Sequence, residues 1–182
     1  TIGDTLYSIQ DYLGADYPES VGLKYIFTYG LLQALFIQQD AMRHLSEAFD
    51  IKFEPSEKLY KIRKLRNASI GHPTKHNVKK STFYNYISRI TLSKNGFTLM
   101  RCSEQDRTEF VDINIYSILN DQLHEIEVSY KLLSFKLSEA DRMHKEKFKN
   151  KLLVDLFHSS MGYTFSKVAE GIHSRNAGNV TF

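Results

Sequence analysis

Residues 63–73 read Arg-Lys-Leu-Arg-Asn-Ala-Ser-Ile-Gly-His-Pro. Arg66, Asn67 and His72 in this run bring together three side chains suited to work at a phosphate. Arginine stays charged at any physiological pH and offers a planar fork of N–H donors. Histidine titrates near neutrality and serves as base or acid. Asparagine orients either partner or donates to an anionic oxygen. On a straight helix Arg66 and His72 would diverge by about 120° around the axis. They converge only if the helix ends between them, and Gly71 and Pro73 supply that ending. The spacing predicts a guanidinium on a last helical turn and an imidazole on the segment leaving it.

Lys75, His76, Lys79 and Lys80 follow at once. Together with Arg63 and Lys64 they are candidates for holding flanking phosphates. The formal net charge of +3 hides a segregation. From Glu57 to Arg101 there are eleven Lys and Arg against one acid, a charge of +10, and the remainder carries −7. A basic window on an acidic body predicts an anionic partner, with a merely solvated basic face as the plain alternative.

With 182 residues, 42% hydrophobic and 25% charged, the chain fits one globular domain over 1–182. The single cysteine, Cys102, excludes an internal disulfide and suits the reducing cytoplasm. No apolar run approaches the roughly 20 residues of a membrane span. Thr1 to Gln10 has no basic n-region, so no signal peptide is expected there. No histidine pair stands beside carboxylates with zinc-site spacing, so neither a metal nor another cofactor is expected.

The elements that must position these residues follow from periodicity. Thr5 to Leu13 predicts a short first helix closed near Gly14. From about Glu19 to Phe49, Leu31, Leu35, Met42, Leu45 and Phe49 form one apolar stripe, and Tyr25, Tyr29, Leu32 and Phe36 a second. Two stripes place this helix centrally. Gln38 falls on the first stripe and needs an interhelical partner. The functional alternative is that Gln38, Gln39 or Asp40 supports the site. Ser56 is a candidate N-cap for a helix from Glu57 to about Ile70. Tyr84 to Leu92 and Phe97 to Cys102 then read as strands around an Asn95-Gly96 hairpin signal, with a third strand over Thr108 to Ile113. This predicts a small β-hairpin or meander inserted over 84–113. Leu119, Leu123, Ile126, Tyr130, Leu133, Leu137 and Ala140 form a heptad seam on a helix from about Asn114 to Phe148. The seam suits packing within a bundle, across a dimer, or both. Leu152 to Ile172 predicts a last helix, and 174–182 a loose polar tail.

Arg66-Asn67, four residues, then His72, at the end of a predicted helix, resembles the signature of the HEPN superfamily. The resemblance covers Val21 to His76 directly and extends to the heptad helix as bundle architecture. It implies a mainly α fold, a HEPN-like helical bundle, here with a small β-hairpin or meander insertion. It further implies a homodimer that joins two motifs across a two-fold axis. Many members are metal-independent endoribonucleases, often toxins or phage-defence effectors held by an antitoxin or a larger complex, and others are silent binding modules. Carried onto this chain, Arg66 stabilises the phosphorane, His72 transfers protons and Asn67 orients the pair. RNA supplies its own nucleophile, the 2′-hydroxyl, so a base, an acid and positive charge suffice. In members silenced by nucleotidyl transfer a Tyr commonly stands two places after the His. Thr74 stands there in this chain, which argues against that control.

The remaining candidates have plainer readings. Tyr84 and Tyr86 could stack bases, but aromatics favour strands in any case. His44, His124, His144, His158 and His173 have no motif around them. Cys102 has no nearby helix start to activate it, which suits an inert thiol.

Overall fold

The computed structural model describes residues 1–71, 76–78, 81–103, 108–150 and 161–176. Two compact units are present, Thr1–Ser134 and Phe135–Phe182.

In the first unit, α1 (Ile2–Gly14) turns Thr5, Ile9 and Tyr12 inward at spacings of four and three. It packs on α2 (Val21–Glu47), whose buried residues include Leu31, Leu32, Ala34, Leu35 and Met42. Two covered stripes make α2 the central helix. Asp50 takes a positive φ of 55° in the turn beyond it, a conformation that Asp tolerates better than most residues. Phe49 lies in that turn and is exposed rather than continuing the stripe. The Ser56 side chain accepts from the Leu59 amide at 3.3 Å and caps α3 (Glu57–Arg66).

Gly71 does not end a plain α-helix. From Asn67 to Gly71 the chain runs as a π-helical turn. Such turns are rare and cluster at functional sites.

The sheet has four antiparallel strands in the order β1-β2-β3-β4, a meander. These are β1 (His76–Val78), β2 (Ser81–Ile87), β3 (Gly96–Ser103) and β4 (Glu109–Asn114). It therefore starts before the expected boundary at residue 84, and β1 is an element the sequence reading lacked. The turn itself also differs. Ser93 and Gly96 exchange two backbone hydrogen bonds, so Lys94 and Asn95 form the loop. Gly96 is needed for another reason: a Cβ there would collide with the Ile113 carbonyl oxygen of β4.

Alternation along β3 sends Phe97 and Leu99 inward. They join Ile9, Leu31, Leu35, Ile62, Ile115 and Leu119 in one cluster, so the sheet shares the helical core rather than projecting from it. Asn114 then caps α4 (Ile115–Phe148) by accepting from the Ser117 amide at 2.9 Å.

Within residues 115–134, α4 buries Ile115, Leu119, Gln122, Ile126 and Leu133. Of these, Leu119, Ile126 and Leu133 belong to the heptad seam and pack inside this unit, while the seam's Tyr130 is exposed. Leu137 and Ala140, from the seam's second part, are exposed in the other unit. That unit also contains α5 (Gly162–Asn176). Ser174 to Asn176 are helical rather than tail. Leu152, Leu153, Leu156 and Phe157, expected to open the last helix, lie outside the described residues. No helix among the described residues is long and apolar enough to cross a membrane.

Candidate phosphate-binding site

Arg66 ends α3 and Asn67 opens the π turn. Facing them on α2 are Gln33, Phe36 and Asp40, which share one helix face by their spacing of three and four. Gln33 Oε1 accepts two hydrogen bonds from Arg66, from Nε at 3.0 Å and from Nη2 at 2.7 Å. Asn67 Oδ1 accepts from Arg66 Nη1 at 3.0 Å. The Arg66 guanidinium carbon lies 4.4 Å from the centre of the Phe36 ring, within cation–π range. A guanidinium has five N–H donors. Three of them are engaged by Gln33 and Asn67, and among the described residues one N–H on each of Nη1 and Nη2 has no partner.

Arg63, one turn earlier, sits differently. Its Nη2 pairs directly with Asp40 Oδ1, and its guanidinium carbon is 4.1 Å from the same Phe36 ring. Arg43 Nη2 lies 3.7 Å from that Asp40 oxygen. Arg63 is thus tied to a carboxylate inside the protein, which disfavours its expected role at a flanking phosphate. Lys64 is exposed, with Nζ 4.5 Å from the Tyr60 ring centre.

Gln38 and Gln39 are 0% and 1% exposed. Gln122 of α4 donates to Gln38 Oε1 at 2.9 Å and to the Leu35 carbonyl at 3.1 Å. Gln39 donates to Gln122 Oε1 at 2.8 Å and to the Leu59 carbonyl at 3.2 Å. The three glutamines stitch α2, α3 and α4 together in the interior. Sealed from solvent, Gln38 and Gln39 make the interhelical hydrogen bonds that the structural reading called for. Asp40 does stand at the site, as the counter-charge of Arg63.

His72, Lys75, Lys79 and Lys80 lie outside the described residues. His76 belongs to β1, whose backbone pairs His76 with Phe83. Gln33 and Phe36 were absent from the sequence-based site. Their signal was the polar, aromatic, acidic series at 33, 36 and 40 of α2, opposite a basic helix.

The basic window is also less uniform in space than along the chain. Lys58 pairs with Asp121 of α4 at 2.7 Å, which holds the lysine above its usual range. Lys94 Nζ reaches the Leu13 and Ala15 carbonyls at 2.8 and 2.6 Å, completing the C-terminal end of α1. Arg101 lies over the Phe83 ring at 5.0 Å. On the sheet, Tyr86 is exposed and aligned with Met100 and Phe110, while Tyr84 is half-buried beside Cys102. Among the described residues no three His, Cys, Asp or Glu side chains gather as a metal site would require.

No family model, curated protein or solved structure matches the chain.

Proposed function

We propose that this chain is a HEPN-like, metal-independent endoribonuclease acting on RNA as a homodimer in the cytoplasm. One observation carries the reading. Arg66 is held by the neutral carboxamides of Gln33 and Asn67, while the neighbouring Arg63 is bound to a carboxylate. Among the described residues no carboxylate pairs with Arg66, and an arginine fixed in this way is suited to an external anion. The π turn over Asn67–Gly71 separates this arginine from His72 in the sequence. In the proposed reaction His72 removes the 2′-hydroxyl proton or protonates the leaving 5′-oxygen. Arg66 meets the charge that grows on the phosphorane, and Asn67 keeps the Arg66 fork in register. Lys64 supports the neighbouring backbone. Control by an antitoxin or a larger complex, as in toxin and phage-defence systems, belongs to the same reading.

The test is cleavage of single-stranded RNA by the purified protein in EDTA. A 2′,3′-cyclic phosphate end is expected, and His72→Ala should abolish cutting with the melting temperature unchanged. Salt-dependent binding without cleavage, indifferent to His72→Ala, would instead identify a silent RNA-binding module. Absence of both binding and cleavage would remove the reading.

A further inference from the structure

The two arginines on the exit of α3 share one aromatic ring and one facing helix, yet their partners differ in charge. Arg63 meets Asp40, and Arg66 meets Gln33. We propose that Gln33 is the positioning residue of the site, fixing the Arg66 fork while leaving its positive charge free for an RNA phosphate. The assignment rests on the ribonuclease reading above and adds to it the residue that sets the arginine's geometry and charge.

The geometry gives the reason. One oxygen of Gln33 accepts from both Nε and Nη2, at 3.0 and 2.7 Å, and so holds one edge of the guanidinium plane. A carboxylate on that edge would give similar hydrogen bonds but would cancel the charge, as Asp40 does at Arg63. An amide gives the hydrogen bonds without the cancellation. Phe36, 4.4 Å from the guanidinium carbon, and Asn67 on Nη1 fix the remaining freedom. The N–H on each terminal nitrogen that no described residue engages is then presented without first losing side-chain rotamer entropy.

Two variants separate geometry from charge. Gln33→Glu keeps acceptor oxygens and adds a negative charge. Gln33→Met keeps length and removes the acceptor. The readouts are affinity for a fluorescent single-stranded RNA oligonucleotide across a salt series, cleavage kcat and KM, and thermal melting. Gln33→Glu should melt no lower than the wild type, bind about tenfold or more weakly, and lose roughly one charge from the salt dependence. Gln33→Met should keep the salt dependence and lose kcat more than KM. Wild-type binding and salt dependence in a folded Gln33→Glu would overturn this assignment alone. A wild type that neither binds nor cuts RNA would overturn the ribonuclease reading and this assignment with it.

Discussion

Single side chains give the most direct tests. Tyr12 is buried at 6% exposure, and its hydroxyl donates to the Lys94 carbonyl at 2.9 Å. Burial, aided by the nearby Tyr17 and Tyr116, pushes its pKa well above the ordinary 10.0. The fold accommodates the neutral phenol, and the folded pKa lies above the unfolded one. Its contribution is therefore complete below pH 10 and is lost as pH rises toward the folded value, at about 1.4 kcal/mol per pH unit. Thermal melting should fall steeply on the alkaline side, and Tyr12→Phe should flatten that fall. Gln122 is a second case. It is fully buried and donates or accepts at three partners, so Gln122→Ala should cost about 2–4 kcal/mol in urea unfolding. The need for such a partner was legible from Gln38, a polar residue on an apolar stripe. Its identity was not, because Gln122 stands 84 positions away on another helix.

At the scale of elements, periodicity located α1, α2, α3 and the start of α4 to within a few residues. It misplaced what depends on backbone contacts. Asn95-Gly96 carries a strong hairpin signal, yet the loop is Lys94-Asn95 and the glycine answers to β4. Gly96→Ala should accordingly destabilise the β3–β4 pairing by about 2 kcal/mol or more, because carbonyl backbone cannot retreat as a flexible side chain would. Equilibrium denaturation compared with Gly14→Ala, where nothing lies within 4 Å, measures this. The π turn was equally illegible, since Asn-Ala-Ser-Ile-Gly has no composition that distinguishes i+5 from i+4 bonding. β1 was missed because three residues are too short for an alternation pattern.

For the whole molecule, the charge arithmetic was legible only in part. Counting along the chain gave a window of +10, but folding brings Asp121 to Lys58 and Asp40 to Arg63 from outside it. Among the described residues of the window, Lys58, Lys61 and Arg63 are paired with carboxylates, whereas Lys64, Arg66, Arg89, Lys94 and Arg101 are not. The heptad seam divides in the same way. Leu119, Ile126 and Leu133 are consumed by the protein's own core, whereas Leu137 and Ala140 are exposed. A homodimer that uses the seam must use its second part. Leu137→Glu should then shift the proposed dimer toward monomer in sedimentation experiments, and an unchanged dimer would place the two-fold contact elsewhere.

The clasp between Lys94 and the end of α1 has a consequence for the order of synthesis. The carbonyls it satisfies, of Leu13 in α1 and of Ala15 just beyond the helix, are made some eighty residues earlier, and Tyr12 returns a bond to the Lys94 carbonyl. A growing chain can lay α1 against α2 as soon as both have emerged. The last turn of α1 must nevertheless stay hydrated until the β2–β3 loop leaves the ribosome. Helix α1 is thus made before α2 and α3 but is locked only after both have emerged.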